Sequence, residues 1–153
     1  TSAIKTFTQK VNWKDVDFII VDMPPGTGDT QLTFSQEIKM DGAIIVSTPQ
    51  EVALLDVKRG IKMFDKLGVK ILGLVDNMSY FIGDDNKRYN IFGEGGVLKT
   101  AKEFNKEFLC EIPIDPEVGK SGDNGTPIVL SNPDHKISNI YLELANKIKS
   151  NYF

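Results

Sequence analysis

The chain has 153 residues but only one cysteine, one histidine and one tryptophan. A lone Cys110 excludes a disulfide framework and makes a reducing, cytoplasmic compartment the expected one. With His135 as the sole imidazole, an all-protein zinc site of the usual four ligands is excluded as well. Any metal cluster would need ligands from a second chain. An excess of positive charge is also missing. Eighteen Lys and Arg stand against 21 Asp and Glu, for a net charge of −3. That argues against a broad nucleic-acid surface, which requires clustered cations. No apolar run approaches the roughly 18 residues of a membrane span, and no signal-peptide pattern opens the chain. Neither nucleic acid nor membrane is therefore an expected partner. The first residues are Thr-Ser-Ala rather than Met. We expect a piece of a longer, split or processed protein. Internal repeats, low-complexity segments and linkers are absent, so residues 1–153 are expected to form a single domain.

What is present is alternation. Four short apolar runs, Phe18–Val21, Ala43–Val46, Ile71–Val75 and Phe108–Ile112, are separated by stretches with helical spacing. Continuous apolar strands between helices indicate a mostly parallel sheet covered on both faces. Thr48-Pro49-Gln50-Glu51 offers a cap, a first-turn proline and a capping box for a helix ending at Gly68. Asn132-Pro133-Asp134 offers a second start, with Ile137, Ile140, Tyr141, Leu144 and Ile148 on one face. Shorter helices are expected over 29–38 and 93–104, and a loop over 113–131. Residues 80–92 place apolar flanks around Gly-Asp-Asp-Asn, the pattern of a small β-hairpin. The expected fold class is α/β, doubly wound, with a hairpin excursion.

The stretch DFIIVDMPPGTGD, residues 17–29, carries the chemistry. An apolar run ending in Asp22 is the Walker B pattern of P-loop nucleotide hydrolases, in which the carboxylate holds Mg²⁺ directly or through water. Pro24 and Pro25 stiffen the loop that follows. Gly26 has no Cβ, so its N–H can approach a γ-phosphate.

These residues resemble the switch II region of MinD-type ATPases. More closely, the chain resembles the Mrp/ApbC family of iron–sulfur cluster carrier ATPases. The similarity rests on VDMPPGTGDTQLT (21–33), VSTPQEVALLDVKRGIKMF (46–64), GLVDNMSYF (73–81), IFGEGG (91–96), EIPIDPEV (111–118) and GDNGTPIV (122–129). The resemblance implies an incomplete MinD-like P-loop NTPase fold. It implies ATP with Mg as cofactor and a [4Fe–4S] cluster as cargo. It assigns Asp22 to the metal and Gly26 to γ-phosphate sensing, with Pro25 beside it. Asn77 would hydrogen-bond the adenine edge, which needs a donor and an acceptor together. Pro113 and Asp115 would lie in the loop that closes over the base. The implied partners are a second copy in a homodimer and iron–sulfur apoproteins.

Two further absences qualify what the resemblance implies. No P-loop is present: Gly119-Lys120-Ser121 imitates its tail, but the required upstream glycine falls at Ile114. In the family that loop, with its strand, lies N-terminal to everything here. An N-terminal P-loop segment is thus an expected partner. The chain alone is expected to bind ATP poorly, to hydrolyse none and to expose apolar strand edges. The second absence is Cys-x-x-Cys, which the family places between the equivalents of Phe81 and Phe92. Residues 82–91 hold no cysteine. Cluster carriage is therefore implied by the resemblance but not by the ligands present. The alternative function is a non-catalytic interaction module that keeps the fold and uses neither ATP nor cluster.

Overall fold

In the computed structural model, residues 6, 10–23 and 28–153 are described, with the side chains of 29–31 set aside. Along them run α1 (Asp29–Glu37), β1 (Ala43–Ser47), α2 (Glu51–Leu67), β2 (Ile71–Ile82) and β3 (Arg88–Tyr89). Then come α3 (Gly96–Glu103), β4 (Phe108–Ile114), α4 (Pro116–Asp123), α5 (Ile128–Ser131) and α6 (Lys136–Tyr152). The central strand is β2. It pairs in parallel with β1 on one side and β4 on the other, and in antiparallel fashion with β3 near its end.

Alternation along β2 sorts side chains into two cores. Ile71 and Leu74 join Leu54, Val57 and Ile61 of α2 and Val97 and Ala101 of α3. Val75 packs on the opposite face with Leu109, Ile112, Ile128 and Ile137, backed by Ile140, Tyr141, Leu144 and Ile148 of α6. Burial of each such side chain is worth about 1.5–3 kcal/mol. The two cores give the doubly wound arrangement its physical content. Glycine is required at Gly73, whose φ is +154° and where a Cβ would lie 2.5 Å from Leu109 Cγ.

Helix boundaries depart from the sequence pattern in instructive ways. α2 starts at Glu51, with Gln50 at the cap and no side-chain capping bond. Thr48 is not the cap; its carbonyl accepts from Ser47 Oγ instead. Gly68 closes α2 in the left-handed region, φ +70°, as a C-terminal glycine should. α6 starts at Lys136 rather than just after Asn132. Ser138 Oγ and the His135 N–H both donate to the Asn132 carbonyl. That bends 132–135 into a turn and leaves His135 Nδ1 to accept from the Ile137 N–H. α1 and α3 fall inside their expected ranges.

Two expectations are corrected. Residues 113–131 are not simply a loop, because they contain α4 and α5. Asp115-Pro116-Glu117 supplies an N-cap, a first-turn proline and a first-turn acid, a helix start that went unread. Residues 18–21 form no strand. A strand needs a lateral partner for its N–H and C=O groups, and among the described residues this run has none. Ile20 is 88% exposed, and Phe18 packs edge-on against Phe153 at 5.4 Å. The exposed apolar edge expected of the sheet is seen at β1, whose Val46 is 59% exposed.

Candidate nucleotide site and hairpin

The carboxyl ends of parallel strands are where α/β sheets bind ligands. Three of the six candidate residues meet there. Asn77 of β2 is in register with Ile112 of β4, so Pro113 and Asp115 follow within three residues on the adjacent strand. Pro113 is buried and Asn77 half-buried. The Asn77 amide has no side-chain hydrogen-bond partner among the described residues, so both its donor and its acceptor are free for a ligand.

Asp115 is held rather than free. Its Oδ1 accepts from the Glu117 N–H at 3.0 Å. Its Oδ2 faces His135 Nε2 at 3.6 Å and Lys136 Nζ at 3.5 Å. In the structure the His135 ring accepts at Nδ1 and faces Asp115 at Nε2, tying the start of α4 to the start of α6. Only folding brings positions 115 and 135 together, although each sits at a helix start, that of α4 and that of α6.

Asp22 is exposed, on the unpaired 18–23 segment. With Trp13, Val16 and the run 18–21 it lines an open cavity of about 400 Å³. Pro25 and Gly26 lie outside the described residues. Gly119-Lys120-Ser121 sits inside α4 and not ahead of a helix. Lys120 pairs with Glu117 at 2.6 Å and Ser121 Oγ donates to the Val118 carbonyl. A P-loop tail needs both side chains free, so the imitation goes no further than sequence. The Gly93–Gly96 cluster is a packing device. Gly93 and Gly95 have φ of +107° and +65°, and a Cβ on Gly96 would lie 2.6 Å from the Pro49 carbonyl oxygen.

The hairpin is present. β2 continues past a left-handed Met78, φ +53°, to pair Phe81 with Tyr89 and Ile82 with Arg88. Arg88 is fully engaged. Its two terminal nitrogens donate to the two carboxylate oxygens of Glu111 at 3.0 Å each, and Nε donates to Asn90. Its guanidinium stacks 4.0 Å over the Tyr80 ring. Asp85 accepts from the Lys87 N–H and from the Tyr89 hydroxyl, which makes it a turn residue. On α2, Lys58 pairs with Glu103 and Arg59 with Asp56. Cys110 lies against the second core, and burial pushes its thiol up from its ordinary pKa. A protonated thiol among apolar side chains is a poor iron ligand.

One residue that sequence reasoning passed over stands out. Asp76 is 1% exposed and both its carboxylate oxygens lack a hydrogen-bond partner among the described residues. It is in register with Ser47 of β1 and Glu111 of β4. Burial first, then the Glu111 carboxylate, raises its pKa from 3.8 to about 6; Arg88 offsets part of the rise.

A mixed sheet, parallel across β1, β2 and β4 and covered on both faces by helices, defines an α/β fold class. A family model described as NUBPL iron-transfer P-loop NTPase, of the ParA group, matches residues 1–149. The chain belongs to that family. An iron–sulfur cluster carrier protein from Synechocystis is 48% identical over 147 residues, 95% of this chain. This chain spans 42% of that relative's length. A nucleotide-binding protein from Archaeoglobus fulgidus, solved in complex with ADP, is 41% identical with a TM-score of 0.73. The match covers 81% of this chain and 51% of that one. The cell division ATPase MinD of Pyrococcus furiosus shares the fold at TM-score 0.69 and 24% identity, over 97% and 56% of the two chains. The fold expectation, α/β and MinD-like, therefore holds. Among the described residues no helix is long and apolar enough to cross a membrane.

Proposed function

We propose that this chain supplies the adenine-binding and Walker B share of an iron–sulfur cluster carrier ATPase. The observation that carries the reading is the free Asn77 amide beside the Pro113–Asp115 loop at the carboxyl edge of the sheet. A relative 41% identical was solved with ADP, and relatives are named iron–sulfur cluster carriers, which supports it.

The donor set fits a nucleotide in part. Asn77 would hydrogen-bond the base, and Pro113 and Asp115 would wall it, with Asp115 fixed by His135 and Lys136. Asp22 is an exposed carboxylate without a partner among the described residues, suited to a hard cation held through water. Mg²⁺ would neutralise phosphate charge when bound. No described loop cradles phosphates, so we assign that role to a segment N-terminal in the relatives. Such a segment would also pair with the open edge of β1 and the apolar run 18–21. The cluster is a different matter. Residues 82–91 hold no thiolate and Cys110 lies against the core, so we route no cluster step through this chain. Iron–sulfur apoproteins and a second copy of the chain are the partners this reading names.

The test is Mg-ATP calorimetry on the chain and on a version extended to the length of its relatives. The expected result is no measurable binding by the chain alone, binding by the extended version, and loss of that binding in Asn77→Ala. Micromolar binding by the chain alone would overturn the split-site reading. No binding by either version would favour the interaction module.

A further inference from the structure

Asp76 is the only described carboxylate that is fully buried with both oxygens unpartnered. Its surroundings are distinctive. On β1 its register neighbour Ser47 has turned its hydroxyl to the Thr48 carbonyl. On β4 its register neighbour is Glu111, whose two oxygens are taken by Arg88 of the hairpin. Glu94, in the glycine loop, adds its charge to Arg88. The helices on this face contribute Leu54, Val97 and Ala101 to the core. Their charged pair, Lys58 with Glu103, is exposed and self-satisfied. Among the described residues Arg88 is thus the one cation whose field reaches Asp76, and it arrives on the hairpin.

That hairpin is bounded by left-handed backbone at both ends. Met78 precedes it at φ +53°, and Gly93 and Gly95 follow it at +107° and +65°. A non-glycine residue in that region is an uncommon conformation that the surrounding structure must hold in place. Residues 79–92 are fixed to β4 by the backbone pairing of Phe81 with Ile114 and by two side-chain attachments, Ser79 Oγ to the Ile112 carbonyl and the Arg88–Glu111 fork.

We propose that residues 79–92 form a flap over the carboxyl end of the sheet, and that the proton on Asp76 holds it shut. With the proton on, a neutral acid lies beneath the Arg88–Glu111 fork at little cost. With the proton off, an unpartnered carboxylate lies beside Glu111, and any motion that admits water to it is favoured. Flap opening about Met78 and Gly93 is that motion. Loss of Arg88 on opening works against it, but desolvation is the larger influence on Asp76. Linkage then requires the flap to open more as pH rises through the Asp76 titration. The inference does not depend on nucleotide binding.

Amide hydrogen exchange of the chain between pH 5 and 8, corrected for intrinsic exchange, tests it. The amides of the Phe81–Ile114 register pair, which joins the flap to β4, report its seating; Leu74 reports the core. Flap protection is expected to fall by about 10-fold between pH 5 and 8, because an exposed carboxyl is already ionised at pH 5 and the buried one only at the upper end of the range. Leu74 should stay constant. Asp76→Asn should keep the high protection at every pH, and Glu111→Gln should retain a pH response. Independently of any variant, the ¹³Cγ shift of Asp76 should titrate at the same midpoint as flap protection. Flat flap protection in the parent, a surviving response in Asp76→Asn, or two different midpoints would each overturn the proposal.

Discussion

Replacing Asp76 by Asn should change the pH dependence of stability in a calculable way. Burial raises the pKa of this carboxyl group from its ordinary 3.8 to about 6 in the fold. Its folded-state pKa is raised, so between these values the folded state binds the more protons. Stability is then fully present below about 3.8 and is lost as pH rises through 6. At about 1.4 kcal/mol per unit, ionised Asp76 costs the fold about 3 kcal/mol at pH 7.5 and about 1 kcal/mol at pH 4.5. Asparagine keeps the shape and cannot ionise. Its advantage over the parent should therefore grow by about 2 kcal/mol between pH 4.5 and 7.5. Burying the second amide proton adds a constant cost, which cancels in that difference. Urea unfolding of both chains across this range, with midpoints and slopes fitted together, measures it. A stability difference that stays flat from pH 4.5 to 7.5 would refute the claim that Asp76 is buried as an unpaired acid.

Other outcomes are expected with equal definiteness. Leu74→Ala, which empties the centre of the first core, should cost about 2–5 kcal/mol in the same unfolding assay. Gly96→Ala should destabilise by about 1–3 kcal/mol, because its Cβ would strike the Pro49 carbonyl, and thermal melting would show it. Val46→Lys on the open edge of β1 should reduce concentration-dependent association of the chain in sedimentation runs, with little effect on the melting midpoint. His135→Ala removes the α6 cap at Ile137 and should lower stability by about 1 kcal/mol, whereas His135→Asn should restore most of it.

The alternation of apolar runs with helical stripes was enough to specify the two-faced sheet around β2. Neighbours such as Leu74 and Val75 must face opposite sides of a strand, and each needs a helix to cover it. Asn77, Pro113 and Asp115 were singled out by the family resemblance, which local motifs such as GLVDNMSYF and EIPIDPEV carry. Local information failed where a structure depends on something distant in sequence. The run 18–21 has every preference for a strand, but preference supplies no lateral partner. Thr48 has every preference for a cap, but Ser47 claimed its carbonyl and the helix began later. His135 acquired its role because α4 and α6 start side by side. Asp76 followed five apolar or glycine residues and looked like an ordinary strand-end acid. Only the register that sets it between Ser47 and Glu111, under an arginine from the hairpin, made it a buried and unpartnered group. Composition and periodicity decide what must be buried. Which charges are buried with it, and beside what, is decided when the strands align.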